Sequence, residues 1–141
     1  MLLPLLPLQN QKMTTTSKLI YTLKLPWPPT INSYYGTTRS GQKFIGAKGK
    51  EFRAVVIEAL REIPEGKGTL DGRLHIVIEC HVPDRRRRDL DNILKSLLDA
   101  MTHAGVYKDD CLIDYLEVSR ELPTKGGHVV VYVREFNGDI E

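Results

Sequence analysis

The residues best suited to chemistry lie in one segment, residues 83–95, which reads PDRRRRDLDNILK. A run of four arginines is followed directly by two aspartates that are two positions apart: Arg85, Arg86, Arg87, Arg88, then Asp89 and Asp91. Adjacent cations repel one another, and phosphate is the anionic partner that best removes this repulsion. A solvated charge run that only aids solubility is the alternative, and the neighbouring aspartates favour the phosphate site.

Asp89 and Asp91 carry the oxygen ligands that a divalent cation would need. In an extended or helix-capping conformation, two residues at this spacing can point to one side, whereas inside a helix they diverge by about 200°. Mg²⁺ takes a few carboxylates together with waters and substrate phosphate. Helix capping with favourable placement toward the helix dipole, worth about 1 kcal/mol, is the alternative. It explains one aspartate but not the arginine run.

A third carboxylate and a lysine extend this set. Asp109 and Asp110 follow the next predicted helix, and either is a candidate ligand, with an exposed acidic turn or a capping role as the alternative. Lys95 lies four residues after Asp91, on the same helix face. It is either half of an ordinary helix ion pair, the commoner case, or a cation that stabilises charge developing at a scissile phosphate. Asp99 continues this face and could orient Lys95.

Aromatic and basic residues alternate between residues 26 and 47, a stretch rich in turn-forming residues that reads as one long loop. Aromatic rings next to cations suit stacking on unpaired bases, and packing back on the core is an equal alternative. The residues concerned are Tyr34, Tyr35, Arg39, Lys43, Phe44 and Lys48. Lys125 is a further candidate contact to nucleic acid, and so is His81, which with His75 and Glu79 is expected at the surface.

Hydrophobic periodicity predicts the elements that position these residues. Alternation predicts strands over residues 19–25 and 73–82, and over 112–122 and 128–136 as a hairpin around TKGG. Helices are predicted over 48–62, with an apolar stripe that includes Val55, and from about 89 to 104. The order β-α-β-α-β-β indicates a single α+β (α/β-like) domain with a mixed sheet, two helices and a parallel crossover in its middle.

Composition limits the protein class. The 141 residues correspond to one domain, and 41% hydrophobic with 27% charged residues is typical of a globular protein. The net charge is only +2, which equals the excess of basic residues within residues 83–95 alone. Cys80 and Cys111 lack metal-binding or redox spacing, which favours a cytosolic protein. No apolar run reaches the roughly 18 residues of a membrane span. Residues 1–17 are expected to be a disordered extension rather than a signal peptide, with Met13 as an alternative start.

The segment ECHVPDRRRRDLDN, followed by Lys95 and by HAGVYKDD, resembles the RusA family of bacterial and prophage Holliday-junction resolvases. LPWPPTINSYY and TKGG are similar to that family as well. The resemblance covers about residues 19–136 and implies a RusA-like endonuclease domain over residues 18–141.

The resemblance also implies a mechanism. It places Mg²⁺, with Mn²⁺ as a substitute, on Asp89, Asp91 and Asp110, and makes Lys95 essential. Family members are homodimers that bind four-way junction DNA and nick two opposed strands symmetrically. No organic cofactor is expected, and the location implied is the bacterial cytoplasm, with a prophage origin in keeping with the family. One departure is Leu112, where relatives often carry glutamine, and this puts contacts around the metal ligands in question.

Two other functions stay open from the sequence. One is a non-catalytic DNA-binding module that uses the arginine run, with the aspartates as helix caps. The other is a different Mg²⁺-dependent phosphodiesterase acting on RNA or flaps.

Overall fold

A computed structural model describes residues 17–64 and 66–136. Residues 1–16, most of the expected extension, lie outside this range, and Ser17 is already the first residue of a strand. The helices are α1 (Ile31–Tyr34), α2 (Ala47–Arg61) and α3 (Asp91–Ala104). The strands are β1 (Ser17–Pro26), β2 (Tyr35–Thr37), β3 (Lys43–Ile45), β4 (Leu74–His81), β5 (Ile113–Glu121) and β6 (His128–Phe136). A 3-10 turn, Asp110–Leu112, precedes β5.

Four strands form a mixed sheet in the order β1-β6-β4-β5. β4 and β5 are parallel, while β6 is antiparallel to both β1 and β4. The predicted α+β class and the parallel crossover β4–α3–β5 are therefore confirmed. This crossover places the loop before α3 and the turn before β5 at the two ends of one connecting helix.

The predicted hairpin between β5 and β6 is wrong, because the two strands lie on opposite sides of β4. The TKGG connection instead crosses the end of β4, where the Thr124 N–H donates to the Val82 carbonyl at 2.8 Å. β6 is an interior strand, paired on both edges, and its alternate valines Val129, Val131 and Val133 are buried in the core. β5 has mostly exposed side chains, which suits an edge strand.

The core lies between one face of the sheet and the two long helices. The predicted inner face of β4 is fully buried, and α2 and α3 pack against each other. Two expectations were wrong in detail: Val55 of the α2 stripe is 37% exposed, and His75 on the outer face of β4 is only 5% exposed. Among the described helices, none is long and apolar enough to span a membrane.

Residues 26–47 are more ordered than a long loop. They contain α1 and a small antiparallel hairpin of β2 and β3. Gly36 of β2 lies directly against the Phe44 ring of β3, where an added Cβ would come within 2.3 Å of a ring carbon. One face of the Phe44 ring packs on Gly36, and 49% of the residue is exposed, so the hairpin presents Phe44 to solvent.

Candidate active site

Two of the predicted acidic residues lie at the start of α3. The helix begins at Asp91, two residues later than predicted, so Asp89 lies in the preceding loop. The N-cap residue is Leu90, and no side chain caps the helix. Neither aspartate therefore caps the helix through its side chain, although Asp91, in the first turn, is favourably placed toward the helix dipole. Both are exposed, and neither takes part in the ion pairs between described residues.

Asp109 and Asp110 have different roles at the turn before β5. The Asp109 carboxylate caps the turn by accepting the Cys111 N–H at 3.0 Å, and this bond lowers its pKa. Asp110 is partly buried, and burial together with Asp109 raises its pKa, while nearby Lys95 opposes that rise. The structure thus separates the capping aspartate from the one whose pKa responds to Lys95 and Asp99 of α3.

The carboxylates do not form a closed metal cage. Within residues 17–64 and 66–136, no three His, Cys, Asp or Glu side chains lie close enough together to hold a metal ion. The donor chemistry still suits Mg²⁺, which commonly binds one or two carboxylates and completes its shell with waters and substrate phosphates. Asp89 and Asp91, which are exposed and take part in none of the ion pairs between described residues, meet that requirement.

The four arginines of the loop between β4 and α3 are not equivalent. Arg88 donates to both carboxylate oxygens of Asp84, at 2.6 and 3.2 Å, and its side chain is only 23% exposed. Asp84 also accepts the Arg86 N–H at 2.9 Å. The bond from Arg88, with the smaller effect of Arg86, lowers the pKa of Asp84 to about 2. Arg88 therefore shapes the loop.

The remaining arginines face solvent. Arg85, Arg86 and Arg87 are exposed. Arg85 and Arg86 line a cleft of about 440 Å³ at the end of the sheet, together with Arg120 of β5. The Arg120 guanidinium also donates to the Arg88 carbonyl at 2.7 Å. Sequence reasoning missed Arg120, whose only signal was its place near the end of the strand beside β4.

Tyr34 does not reach the surface. It is 0% exposed, its hydroxyl donates to Asp99 Oδ2 at 2.5 Å, and it accepts from Arg53 Nε at 2.7 Å. Burial and the bond to Asp99 raise the pKa of Tyr34. Because the Tyr34 ring is fully buried, it cannot stack on DNA bases, and that expectation was wrong. Sequence reasoning missed Arg53, although an arginine directly beside Phe52 on the apolar side of α2 was a signal.

The β2–β3 hairpin begins beside the acidic residues. Tyr35 is partly exposed, and its pKa is raised by burial, then by the charge of Asp99, with a smaller effect of Asp110. Lys43 holds its ammonium 5.8 Å from the centre of the Tyr35 ring. Lys125 is exposed in the connection that crosses the end of β4. These side chains are accessible, as a DNA contact requires.

The histidines of the outer sheet face do not share one environment. His75 is buried against the ring of Phe136, with its Nε2 3.1 Å from a Glu117 oxygen, so its expected place at the surface was wrong. His81 is partly exposed and stacks on His128, with ring centres 4.3 Å apart. Burial and the neighbouring His81 lower the pKa of His128.

Comparison with known proteins gives a consistent result. A family model described as Endodeoxyribonuclease RusA matches residues 26–134. A protein of Shigella sonnei (strain Ss046) named crossover junction endodeoxyribonuclease RusA is 41% identical over 120 residues, covering 84% of this chain and 98% of the relative. The protein of the same name from Escherichia coli (strain K12) is 40% identical with the same coverage. The namesake from Enterobacteria phage HK97 is 40% identical over 115 residues, 82% of this chain and 94% of its own.

Proposed function

Because this chain belongs to the RusA family of endodeoxyribonucleases, we propose that it is a crossover junction endodeoxyribonuclease, that is, a Holliday-junction resolvase. The observation that carries the proposal is local. An arginine loop leads directly into the exposed Asp89 and Asp91, neither of which caps the helix, while Lys95, one turn further along α3, lies within electrostatic range of Asp110. A phosphate-binding loop next to exposed carboxylates suits phosphodiester cleavage better than simple DNA binding.

In this proposal Asp89, Asp91 and Asp110 would hold Mg²⁺, or Mn²⁺ in its place, and waters and substrate phosphate would complete a shell that the described carboxylates do not close by themselves. When bound, the metal supplies a water of lowered pKa and polarises the phosphodiester. Lys95 neutralises charge that develops on the phosphate during cleavage. The exposed arginines bind the DNA backbone and set its register without reading sequence. Arg88, held by Asp84, keeps the loop in shape.

The proposed substrate is four-way junction DNA, and the active form is a homodimer. Two symmetric cuts require two sites related by a twofold axis, which a dimer of this chain provides. In this proposal the accessible side chains of Tyr35, Phe44 and Lys43 in the hairpin contact unpaired bases at the junction centre. A relative encoded by phage HK97 supports a prophage origin, and a bacterial cytoplasmic location follows from the DNA substrate.

The test is cleavage of a synthetic mobile four-way junction, with and without Mg²⁺, against linear duplex, flap and RNA substrates. We expect paired nicks in the junction only when metal is present. Asp91→Asn should retain junction binding and lose cleavage, because an amide is a poor replacement for a charged ligand. Asp71→Asn, at an exposed carboxylate in the loop before β4, is the matched control and should cleave normally. Binding without cleavage by the unmodified protein would support the non-catalytic module, and preferred cleavage of flaps or RNA would support the other phosphodiesterase.

A further inference from the structure

We infer that Arg53 and Tyr34 keep Lys95 available for the substrate by holding the carboxylate of Asp99 away from it. The inference rests on the proposed function, because it assumes that Lys95 acts on the scissile phosphate. It assigns positioning roles to Arg53 and Tyr34, which belong neither to the arginine loop nor to the proposed metal ligands.

The observation is an ion pair that sequence spacing favours and the structure does not contain. Lys95 and Asp99 are four residues apart on α3, the spacing at which opposite charges meet on a helix surface. Asp99 Oδ2 is instead bonded to Arg53 Nη2 at 2.9 Å and to the Tyr34 hydroxyl at 2.5 Å. Among the described residues, the ion pair of Asp99 is the one with Arg53.

The competing donors come from two other elements. Arg53 lies on α2 and Tyr34 ends α1, so the Asp99 carboxylate is drawn toward these helices. Arg53 Nε also donates to the Tyr34 oxygen, which closes a three-residue ring of hydrogen bonds. The side chains of Arg53 and Asp99 are only 22% and 28% exposed, so water replaces these bonds poorly.

Lys95 lies within electrostatic range of two carboxylates. Its charge lowers the pKa of Asp99 and opposes the raised pKa of Asp110. Removing Arg53 would leave Asp99 as a partly buried carboxylate without its cation, and such a group strongly favours a replacement partner. Lys95, which is exposed and has a long flexible side chain, is the cation that can supply it. When Lys95 pairs with Asp99, its ammonium group moves away from the scissile phosphate of the substrate.

The first test is the cleavage rate of Arg53→Met at saturating junction and Mg²⁺. We expect kcat to fall about tenfold, equivalent to about 1.4 kcal/mol of transition-state stabilisation. Junction affinity without Mg²⁺ should stay within about twofold, because the exposed arginines are untouched. Arg61→Met is the matched control, since Arg61 on the same helix makes only an exposed 3.7 Å pair with Glu58, and its kcat should be unchanged.

The second test is rescue. Adding Asp99→Asn to Arg53→Met removes the charge that captures Lys95, so kcat should return to within about threefold of the unmodified enzyme. Asp99→Asn alone should also stay within about threefold, because an amide oxygen still accepts from Arg53 and Tyr34. Tyr34→Phe, which removes one donor without changing charge, should lower kcat about threefold, and Asp99→Asn should again restore it.

All variants are assayed at one common temperature, about 15 °C below the lowest melting temperature among them, so that every kcat refers to folded protein and the rates compare directly. A normal kcat for Arg53→Met, a double variant as slow as Arg53→Met alone, or loss of cleavage by Asp99→Asn alone would each overturn the inference. Cleavage by the unmodified protein tests the proposed function, whereas the ratios between variants test this inference, so the two failures are distinguishable.

Discussion

Replacing Gly127 by alanine should destabilise the protein more than the same change at its neighbour Gly126. Both glycines lie in the TKGG connection and have positive φ, 83° at Gly126 and 68° at Gly127. A Cβ on Gly126 would meet nothing within 4 Å. On Gly127 it would lie 2.9 Å from the Pro83 ring and 3.0 Å from the Pro83 backbone nitrogen. Gly126→Ala therefore reports backbone strain alone, whereas Gly127→Ala reports the same strain together with a steric clash with Pro83.

The magnitudes follow from these two terms. A left-handed conformation costs an alanine about 1.5 kcal/mol, and overpacking against a backbone atom adds about 1.5 kcal/mol. Gly126→Ala should thus cost about 1.5 kcal/mol and Gly127→Ala about 3 kcal/mol. At about 2.1 cal/mol/K per residue, the unfolding entropy of a chain this long is about 0.3 kcal/mol/K. The expected falls in Tm are about 5 °C and about 10 °C.

The assay is thermal unfolding of both variants, followed by circular dichroism. The unfolded chain loses similar entropy in both cases, so the difference in Tm isolates the contact with Pro83. Because Pro83 begins the arginine loop, Gly127→Ala should also weaken junction binding, whereas Gly126→Ala should not. Equal Tm values, or a larger fall for Gly126→Ala, would refute the placement of the TKGG connection across the end of β4.

Other predictions concern the loop, the hairpin and the core. Arg87→Ala should weaken junction binding on all sequences and reduce the slope of log K against log salt by about 1, measured by fluorescence anisotropy at several salt concentrations. The Asp84 carboxyl carbon should titrate by NMR with a midpoint near pH 2. Because the folded pKa is lowered, the stabilisation from its bond with Arg88 is fully present above the unfolded value and is lost as the pH falls toward 2; a midpoint near 4 would contradict the contact. Phe44→Ala should reduce the preference for junction over duplex in a competition assay while leaving Tm nearly unchanged, because the ring is 49% exposed. Leu97→Ala, at a fully buried position of α3, should lower the free energy of unfolding in urea by about 3 kcal/mol; a loss below about 1 kcal/mol would contradict that burial.

Periodicity in the sequence was sufficient for the main elements and for the β4 face of the core, because a period of two or 3.6 reports directly which side is buried. It failed for the β5–β6 pairing. The TKGG turn is a local signal, whereas the choice of the central strand depends on which strand can be buried on both edges. That choice is a property of the whole sheet.

The site shows the same division between local and global information. The short segment that holds Asp89, Asp91 and the arginines was recognisable because its residues are adjacent in sequence. The ring formed by Tyr34, Arg53 and Asp99 joins residues up to 65 positions apart, and no spacing rule connects them. Likewise, spacing alone left Asp109 and Asp110 equivalent and the family resemblance was needed to choose Asp110, whereas in the structure the hydrogen bond from the Cys111 N–H identifies Asp109 as the capping residue.

The central claim is that Asp89, Asp91 and Asp110 bind the catalytic metal, as one or two ions, beside the arginine loop. The most direct measurement is a crystal structure of the unmodified protein with junction DNA and Mn²⁺, in which anomalous scattering locates the metal. The account predicts a peak in contact with carboxylate oxygens of these three residues and with a DNA phosphate. A cleavage-competent complex whose metal lies elsewhere, or in which Asp110 stays out of contact with it, would contradict the claim.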